Sequence, residues 1–174
     1  MSLHFSFVML DDLRQHVDPN IEPESHAFVS LGDGSKQYNR AKVYTGLYDC
    51  TGHLVPFMVV VKTGNPAETM RAGNRGKRDS QMILMRYFNK VHYGLPMSAL
   101  ELEMYHQMKN VIGVNPSFYE FVLMVDADTE VMSDSLNRLV ARCVQDTNIS
   151  ALCGETMVAN EVLFYPYLSK EQKC

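Results

Sequence analysis

The sequence predicts an α/β domain, a mixed and largely parallel sheet flanked by helices, and three observations carry that prediction. Segments rich in β-branched and aromatic residues alternate with segments of helical period, in the order strand, helix, helix, strand, helix, strand. The run Phe121-Val122-Leu123-Met124-Val125 is continuously apolar, as expected of a strand covered on both faces of a parallel sheet. The 174 residues are 46% hydrophobic and 21% charged, the balance of one globular domain long enough to bury a core without disulfides or metals.

Taken in order, residues 1–25 are irregular, with Asp18-Pro19-Asn20 and Glu22-Pro23-Glu24 marking turns. Strands are expected at His26 to Leu31, Ala41 to Tyr48 and Leu54 to Lys62, each bounded by Gly, Asp or Pro. Asp49-Cys50-Thr51-Gly52-His53 reads as a hairpin turn between the last two. A loop punctuated by Gly and Pro follows from Thr63 to Gly76. A helix is then expected from Lys77 to His92, with Gln81, Leu84, Met85, Phe88 and Val91 near one face. Ser98-Ala99-Leu100-Glu101 is a capping box that opens a second helix reaching about Ile112, before Asn115-Pro116 ends it. After the apolar run, Ser133 or Asp134 is placed to cap a third helix whose Leu136, Leu139, Val140, Cys143 and Val144 keep the helical period. Ile149 to Cys153 reads as a last short strand.

Several classes are excluded. No apolar run approaches the ~20 residues that cross a bilayer, and the apolar start lacks the basic flank of a signal peptide. Cys50, Cys143, Cys153 and Cys174 are widely spaced, which favours free thiols over a disulfide framework. The net charge of −4 hides an asymmetry: Lys62 to Lys90 holds seven basic residues against Glu68 and Asp79, a local excess of +5 on a remainder of −9. One local anion site on an acidic body fits that pattern better than a broad nucleic-acid face.

Two motifs are candidates for chemistry. Asp126 and Asp128 follow the apolar run, and side chains two apart on a strand point the same way, so both carboxylates converge on one hard cation, Mg²⁺ or Mn²⁺. The carboxyl end of a buried strand is where α/β sheets hold ligands; the same Asp-Ala-Asp-Thr also serves simply to end a strand and cap a helix. The second motif is Gly73-Asn74-Arg75-Gly76-Lys77-Arg78-Asp79-Ser80-Gln81 at the mouth of a helix, where glycine backbone, helix dipole and basic side chains combine to hold phosphate. It is not a P-loop, because Arg78 follows Lys77 where Ser or Thr is required, and a solvated basic loop is its plain alternative. A nucleoside-diphosphate substrate satisfies both motifs at once. Lys77 and Arg78 then hold the leaving diphosphate, and Asp126 and Asp128 hold the ion that neutralises it. Glu155, after the last expected strand, is either a third residue of that crevice or a turn residue. The six histidines show no metal-ligand spacing, and the methionines read as core filling. An apolar strand followed by D-x-D also marks haloacid-dehalogenase phosphatases, but Glu130 stands where that motif needs Thr or Val.

The Gly73 to Met85 block, Leu123-Met124-Val125-Asp126-Ala127-Asp128-Thr129, and Leu152-Cys153-Gly154-Glu155-Thr156 with Ala159-Asn160 closely resemble the catalytic domain of fungal chitin synthases. Asp33 to Tyr44 is similar to the segment just upstream in that family, and the similarity runs in order from about Asp18 to Asn160. The resemblance implies a GT-A-like nucleotide-binding fold, here incomplete. It further implies a membrane-bound, processive, inverting transferase that adds N-acetylglucosamine from UDP-N-acetylglucosamine to a growing β-1,4 chitin chain. On it, Lys77 matches the basic contact to the donor diphosphate, Asp126 and Asp128 the metal and UDP site, and Glu155 belongs to a family motif.

Against that pattern the chain divides into an irregular segment 1–25, a partial transferase domain 26–160 and a divergent tail 161–174. The family's first uridine-binding strand precedes the matched region. Its Glu-Asp base motif, its Gln-Arg-Arg-Arg-Trp acceptor motif and its membrane helices follow it, and this chain has no Trp. A cell-membrane location with a cytoplasmic-facing catalytic domain therefore belongs to the intact enzyme, and membrane contact comes only through parts not present here. With no general base for the acceptor hydroxyl, the polypeptide alone is expected not to make chitin. The competing reading is an inactive remnant or interaction fragment of such a synthase.

Overall fold

The computed structural model describes residues 22–157. They divide into two compact units, the first ending at Thr129 and the second beginning at Glu130. The irregular start and the divergent tail expected from sequence lie outside the described residues, apart from 22–25.

The first unit is built on three antiparallel strands, β1 (His26–Val29), β2 (Tyr38–Cys50) and β3 (His53–Lys62), in the order β1-β2-β3. Val29 faces Tyr38 and His26 faces Ala41, so β1 covers only the first part of β2. The remainder of β2 pairs with β3, from Ala41 opposite Lys62 to Cys50 opposite His53. That register leaves Thr51 and Gly52 as a two-residue turn, both at positive φ, the geometry that matches strand twist. Asp49 closes it by accepting the Gly52 N–H at 3.0 Å. Pro56, which has no N–H to give to a ladder, stands on the edge strand β3.

Helix α1 (Gly76–Tyr93) ends at Gly94, whose left-handed φ of 61° lets its N–H reach the Lys90 carbonyl. Helix α2 (Ala99–His106) begins with the capping box read from sequence: Ser98 Oγ accepts the Glu101 N–H, and the Glu101 carboxylate accepts the Ser98 N–H at 2.6 Å. It continues as a π-helical turn over Gln107–Ile112. Within that turn Gln107 accepts from Thr45 of β2 at 2.7 Å, and Met108 receives the buried Tyr87 hydroxyl of α1 at 3.1 Å. The wider turn thus ties helix to sheet and helix to helix at consecutive residues.

The core lies between the sheet and the two helices: Phe28, Ala41 and Val43 from the strands meet Tyr87 and Phe88 of α1 and Leu100, Met104 and Met108 of the α2 segment. Tyr119 closes one side, its ring edge-on to Phe88 with centroids 5.7 Å apart. The inward face of α1 is Ile83, Leu84, Tyr87, Phe88 and Val91. The expected face was rotated from this, for Gln81 and Met85 are exposed. The Tyr87 ring, in place of Met85, carries the packing. Burial pushes its hydroxyl above the ordinary tyrosine range.

Lys90 of α1 and Glu101 of α2 pair at 2.6 Å on the edge of this core. Burial by itself raises a carboxyl, yet the Lys90 ammonium and the Ser98 donors hold Glu101 below its ordinary value.

Three sequence expectations are corrected. The sheet is antiparallel throughout, not largely parallel. Phe121–Val125 is not a strand: it makes no ladder, and Phe121, Val122, Leu123 and Met124 are 46%, 42%, 37% and 40% exposed. Ile149 to Cys153 likewise has no regular structure. A strand exists only through hydrogen bonds to a neighbour, and among the described residues neither segment has one.

The second unit contains α3 (Ser135–Gln145). Asp134 stands at its N-cap position as expected, but its carboxylate turns to Arg138 one turn on, at 2.7 Å, and does not cap the backbone. Leu136, Leu139, Val140 and Cys143 of the apolar stripe are half-buried, and Val144 is exposed. Cys143 and Cys153 are free thiols.

Removing the centre of the core tests this packing. Leu100 is fully buried, so Leu100→Ala is expected to cost about 2–5 kcal/mol in urea denaturation. Met70, 87% exposed, should change stability by less than about 0.5 kcal/mol on the same substitution.

Candidate functional site

The site grows out of the loop between β3 and α1. Its two ends pass in contact at Gly64 and Gly73: a Cβ built on Gly73 would lie 2.6 Å from the Gly64 nitrogen, and one on Gly64 would lie 2.4 Å from the Gly73 nitrogen. Both glycines also hold positive φ, 83° and 75°, so only glycine serves at this crossing. The buried Asn39 of β2 fastens the crossing from below, donating to the Gly73 carbonyl at 3.1 Å while its own oxygen accepts the Arg40 N–H. These glycines therefore let the chain cross itself.

Glu68 and Arg75 close the loop from the other side. The two oxygens of Glu68 take both terminal nitrogens of Arg75 in a fork, and one also accepts the Gly73 N–H at 2.9 Å. Arg75 further donates its Nε to the Lys36 carbonyl at 2.9 Å, and its side chain is only 7% exposed. The Arg75 guanidinium and the Gly73 N–H hold the Glu68 carboxyl at about 2, well below its ordinary 4.5.

Beneath the start of α1 lies a part-buried ion pair that sequence reasoning did not single out. Asp79 is 1% exposed; its carboxylate accepts the Leu31 N–H at 2.8 Å and Lys62 Nζ at 3.1 Å. Lys62, at the end of β3, donates as well to the Gly76 carbonyl at 3.2 Å. The signal present in the sequence was an acid in the first turn of a helix, where the dipole favours it. Its partner, a basic residue closing a strand 17 positions earlier, is visible only in three dimensions.

These contacts redistribute the basic cluster. Lys62 and Arg75 are neutralised within the fold, while Lys77 and Arg78 in the first turn of α1 remain exposed. No side chain caps that helix from Arg75, the N-cap position, and a Cβ at Gly76 would meet nothing within 4 Å. Lys77 Nζ reaches Asp126 Oδ2 at 3.0 Å, joining the basic block and the acidic motif across 49 residues of sequence.

Asp126 and Asp128 sit in a turn closed by the Thr129 N–H on the Asp126 carbonyl, 3.0 Å. The strand alternation expected to aim both carboxylates one way is therefore absent, and a four-residue turn replaces it. Both are exposed. Glu155 is exposed, without regular structure, in the second unit. Among the described residues no group of three or more His, Cys, Asp or Glu side chains is gathered to hold a metal by itself. A cleft of about 330 Å³ lies elsewhere, along β1 and β2 between Phe28, Asn39, Pro66 and Ser98.

Taken together, the first unit is an α/β domain that sets an exposed cationic helix start against an acidic turn. The chain belongs to the chitin synthase family, whose model matches residues 5–166. It is 63% identical over 143 residues to chitin synthase 8 of Mycosarcoma maydis, which covers 82% of this chain and 7% of that protein. Chitin synthase 6 of the same organism is 63% identical over 144 residues, 83% of this chain and 12% of the relative. Chitin synthase Y of Aspergillus oryzae is 61% identical over 144 residues, 83% of this chain and 8% of the relative. The chain thus spans about a tenth of the length of these relatives. No solved structure matches it.

The Glu68 clasp has a definite pH signature. A carboxyl held low in the folded chain contributes stability that is complete above its unfolded value of 4.5 and is lost as pH falls toward about 2. Glu68→Gln should therefore lower the thermal midpoint at neutral pH, and the gap to the unsubstituted chain should close on acidification from 4.5 to about 2. A gap that stays constant through that range, followed by circular dichroism, would remove the clasp from the account.

Proposed function

We propose that this chain forms the donor-diphosphate side of a chitin synthase, with a GT-A-like fold in the intact enzyme. The reaction is transfer of N-acetylglucosamine from UDP-N-acetylglucosamine to a growing β-1,4-linked chitin chain. The observation that carries the reading is the 3.0 Å contact between Lys77 and Asp126, which brings together the two motifs that a metal-bridged diphosphate requires.

In this reading Lys77, with Arg78 beside it on the same helical turn, binds the diphosphate oxygens and holds negative charge as the sugar–phosphate bond breaks. Asp126 and Asp128 together supply carboxylate oxygens of the hard kind that suits Mg²⁺ or Mn²⁺, but too few to enclose an ion. The donor set therefore fits an ion shared with substrate phosphates, and such an ion supplies charge neutralisation to the departing diphosphate. The Lys77 and Asp126 side chains are 72% and 55% exposed, so their pairing is worth only about 0–1 kcal/mol and readily gives way to a diphosphate. Glu155 is assigned to the same substrate region through its family motif alone.

The acceptor base and the membrane spans belong to other parts of the intact enzyme in this reading, which sits at the cell membrane with its catalytic domain facing the cytoplasm. No described helix is long and apolar enough to cross a membrane.

Calorimetry of UDP binding in the presence of Mn²⁺ tests the donor site directly. Lys77→Ala, Asp126→Ala and Asp128→Ala are each expected to weaken binding by about 10- to 100-fold, the loss of one charge-assisted contact. Folded protein that gives no heat with UDP and Mn²⁺, or variants that bind as tightly as the unsubstituted chain, would overturn the reading.

A further inference from the structure

We propose that Asp79, acting through Lys62, is a positioning residue that sets the direction of Lys77. The inference rests on the donor-site reading above and adds to it a pair of residues that touch no substrate.

The argument starts from Gly76. It is the residue before Lys77 and the first of α1, it holds φ at +74°, and a Cβ added there would meet nothing within 4 Å. A side chain at this position would find no packing partner, and glycine itself resists few conformations. Two side-chain contacts hold it in addition to the helix's own hydrogen bonds. The Asn74 side-chain oxygen accepts the Gly76 N–H at 2.9 Å, and Lys62 Nζ donates to the Gly76 carbonyl at 3.2 Å. The carbonyl end, which leads into Lys77, is held by Lys62.

Lys62 is itself aimed by Asp79. A flexible ammonium has no fixed direction unless an acceptor supplies one. Here Asp79 Oδ2 lies 3.1 Å from Lys62 Nζ, while Asp79 Oδ1 is anchored by the Leu31 N–H at 2.8 Å. One carboxylate thus joins the chain just after β1, the end of β3 and the first turn of α1.

A buried ion pair is a poor way to gain stability alone, since its desolvation offsets much of the attraction and apolar residues of similar size often serve as well. What such a pair does provide is a fixed direction. Its two free valences, toward Leu31 N and Gly76 O, are both spent on orienting backbone. The Gly76 carbonyl and Lys77 are adjacent, and Lys77 Nζ ends 3.0 Å from Asp126.

The test is a double-mutant cycle read by UDP binding with Mn²⁺ in the full chain. Asp79→Asn keeps the size of the side chain and an acceptor for Leu31 N–H but removes the charge that aims Lys62. It should weaken UDP binding about 10-fold while the protein remains folded by circular dichroism, and it should add no further loss in a Lys77→Ala background. Non-additivity is the reading that a purely structural role would not produce. Asp79→Asn that binds UDP as tightly as the unsubstituted chain, or whose loss adds in full to that of Lys77→Ala, overturns the proposal. Where Asp79→Asn does not fold, Lys62→Gln is judged by the same two criteria; if neither variant folds, the pair is a folding determinant only and the proposal is overturned. An unsubstituted chain that binds no UDP removes the donor-site reading and this inference with it, whereas binding retained by a folded Asp79→Asn removes this inference alone.

Discussion

The arrangement of the first unit depends on one steric constraint, the passage of backbone against backbone at Gly64 and Gly73. A side chain at either position would sit within 3 Å of main-chain atoms of the other strand of the loop. Because the crossing is that close, the end of β3 and the start of α1 are brought to within reach of the same small set of side chains. Asn39 below and Glu68 with Arg75 above then lock the crossing. The helix start is held by this knot of contacts together with the buried first-turn side chain of Asp79.

The second theme is how the fold partitions its cations. Seven basic residues between Lys62 and Lys90 look from composition like one anion-binding patch. In the structure Lys62, Arg75 and Lys90 each face a carboxylate, and Arg86 donates to the Val29 carbonyl at 3.0 Å. The cations inside the fold are spent on tying α1 to β1, β3, the loop and α2. Lys77 and Arg78 remain exposed at the helix start, where the backbone dipole adds to their charge. Cations paired within the fold and cations left exposed therefore overlap in sequence and separate only in space.

The chain belongs to the chitin synthase family. The chain spans between 7% and 12% of the relatives named above, and the region it shares with them includes both the basic block and the acidic turn. The apolar run leading to Asp126 makes no ladder among the described residues and is more than a third exposed over four successive side chains. Its composition is that of a strand covered on both faces, but apolar composition alone supplies no hydrogen-bonding neighbour.

Much of the local structure was legible in the sequence, because it is set by short-range physics. The capping box at Ser98 and Glu101, the Thr51-Gly52 turn and the three strands follow from propensities and hydrogen bonds spanning a few residues. So did the candidacy of Lys77, Arg78, Asp126 and Asp128, which rests on residue type and on an ordered block of resemblance. Tertiary structure alone decided the rest. Sheet direction depends on which strands lie side by side, and the run 121–125 shows that apolar composition does not provide a neighbour. The face of α1 was set by which ring fills the core, Tyr87 and not Met85. The fate of each charge was set by distance: Lys62 and Asp79 lie 17 residues apart, Lys77 and Asp126 lie 49 apart, and no periodicity links either pair. Electrostatic pairing falls off with separation in space, which the order of residues along a chain does not encode.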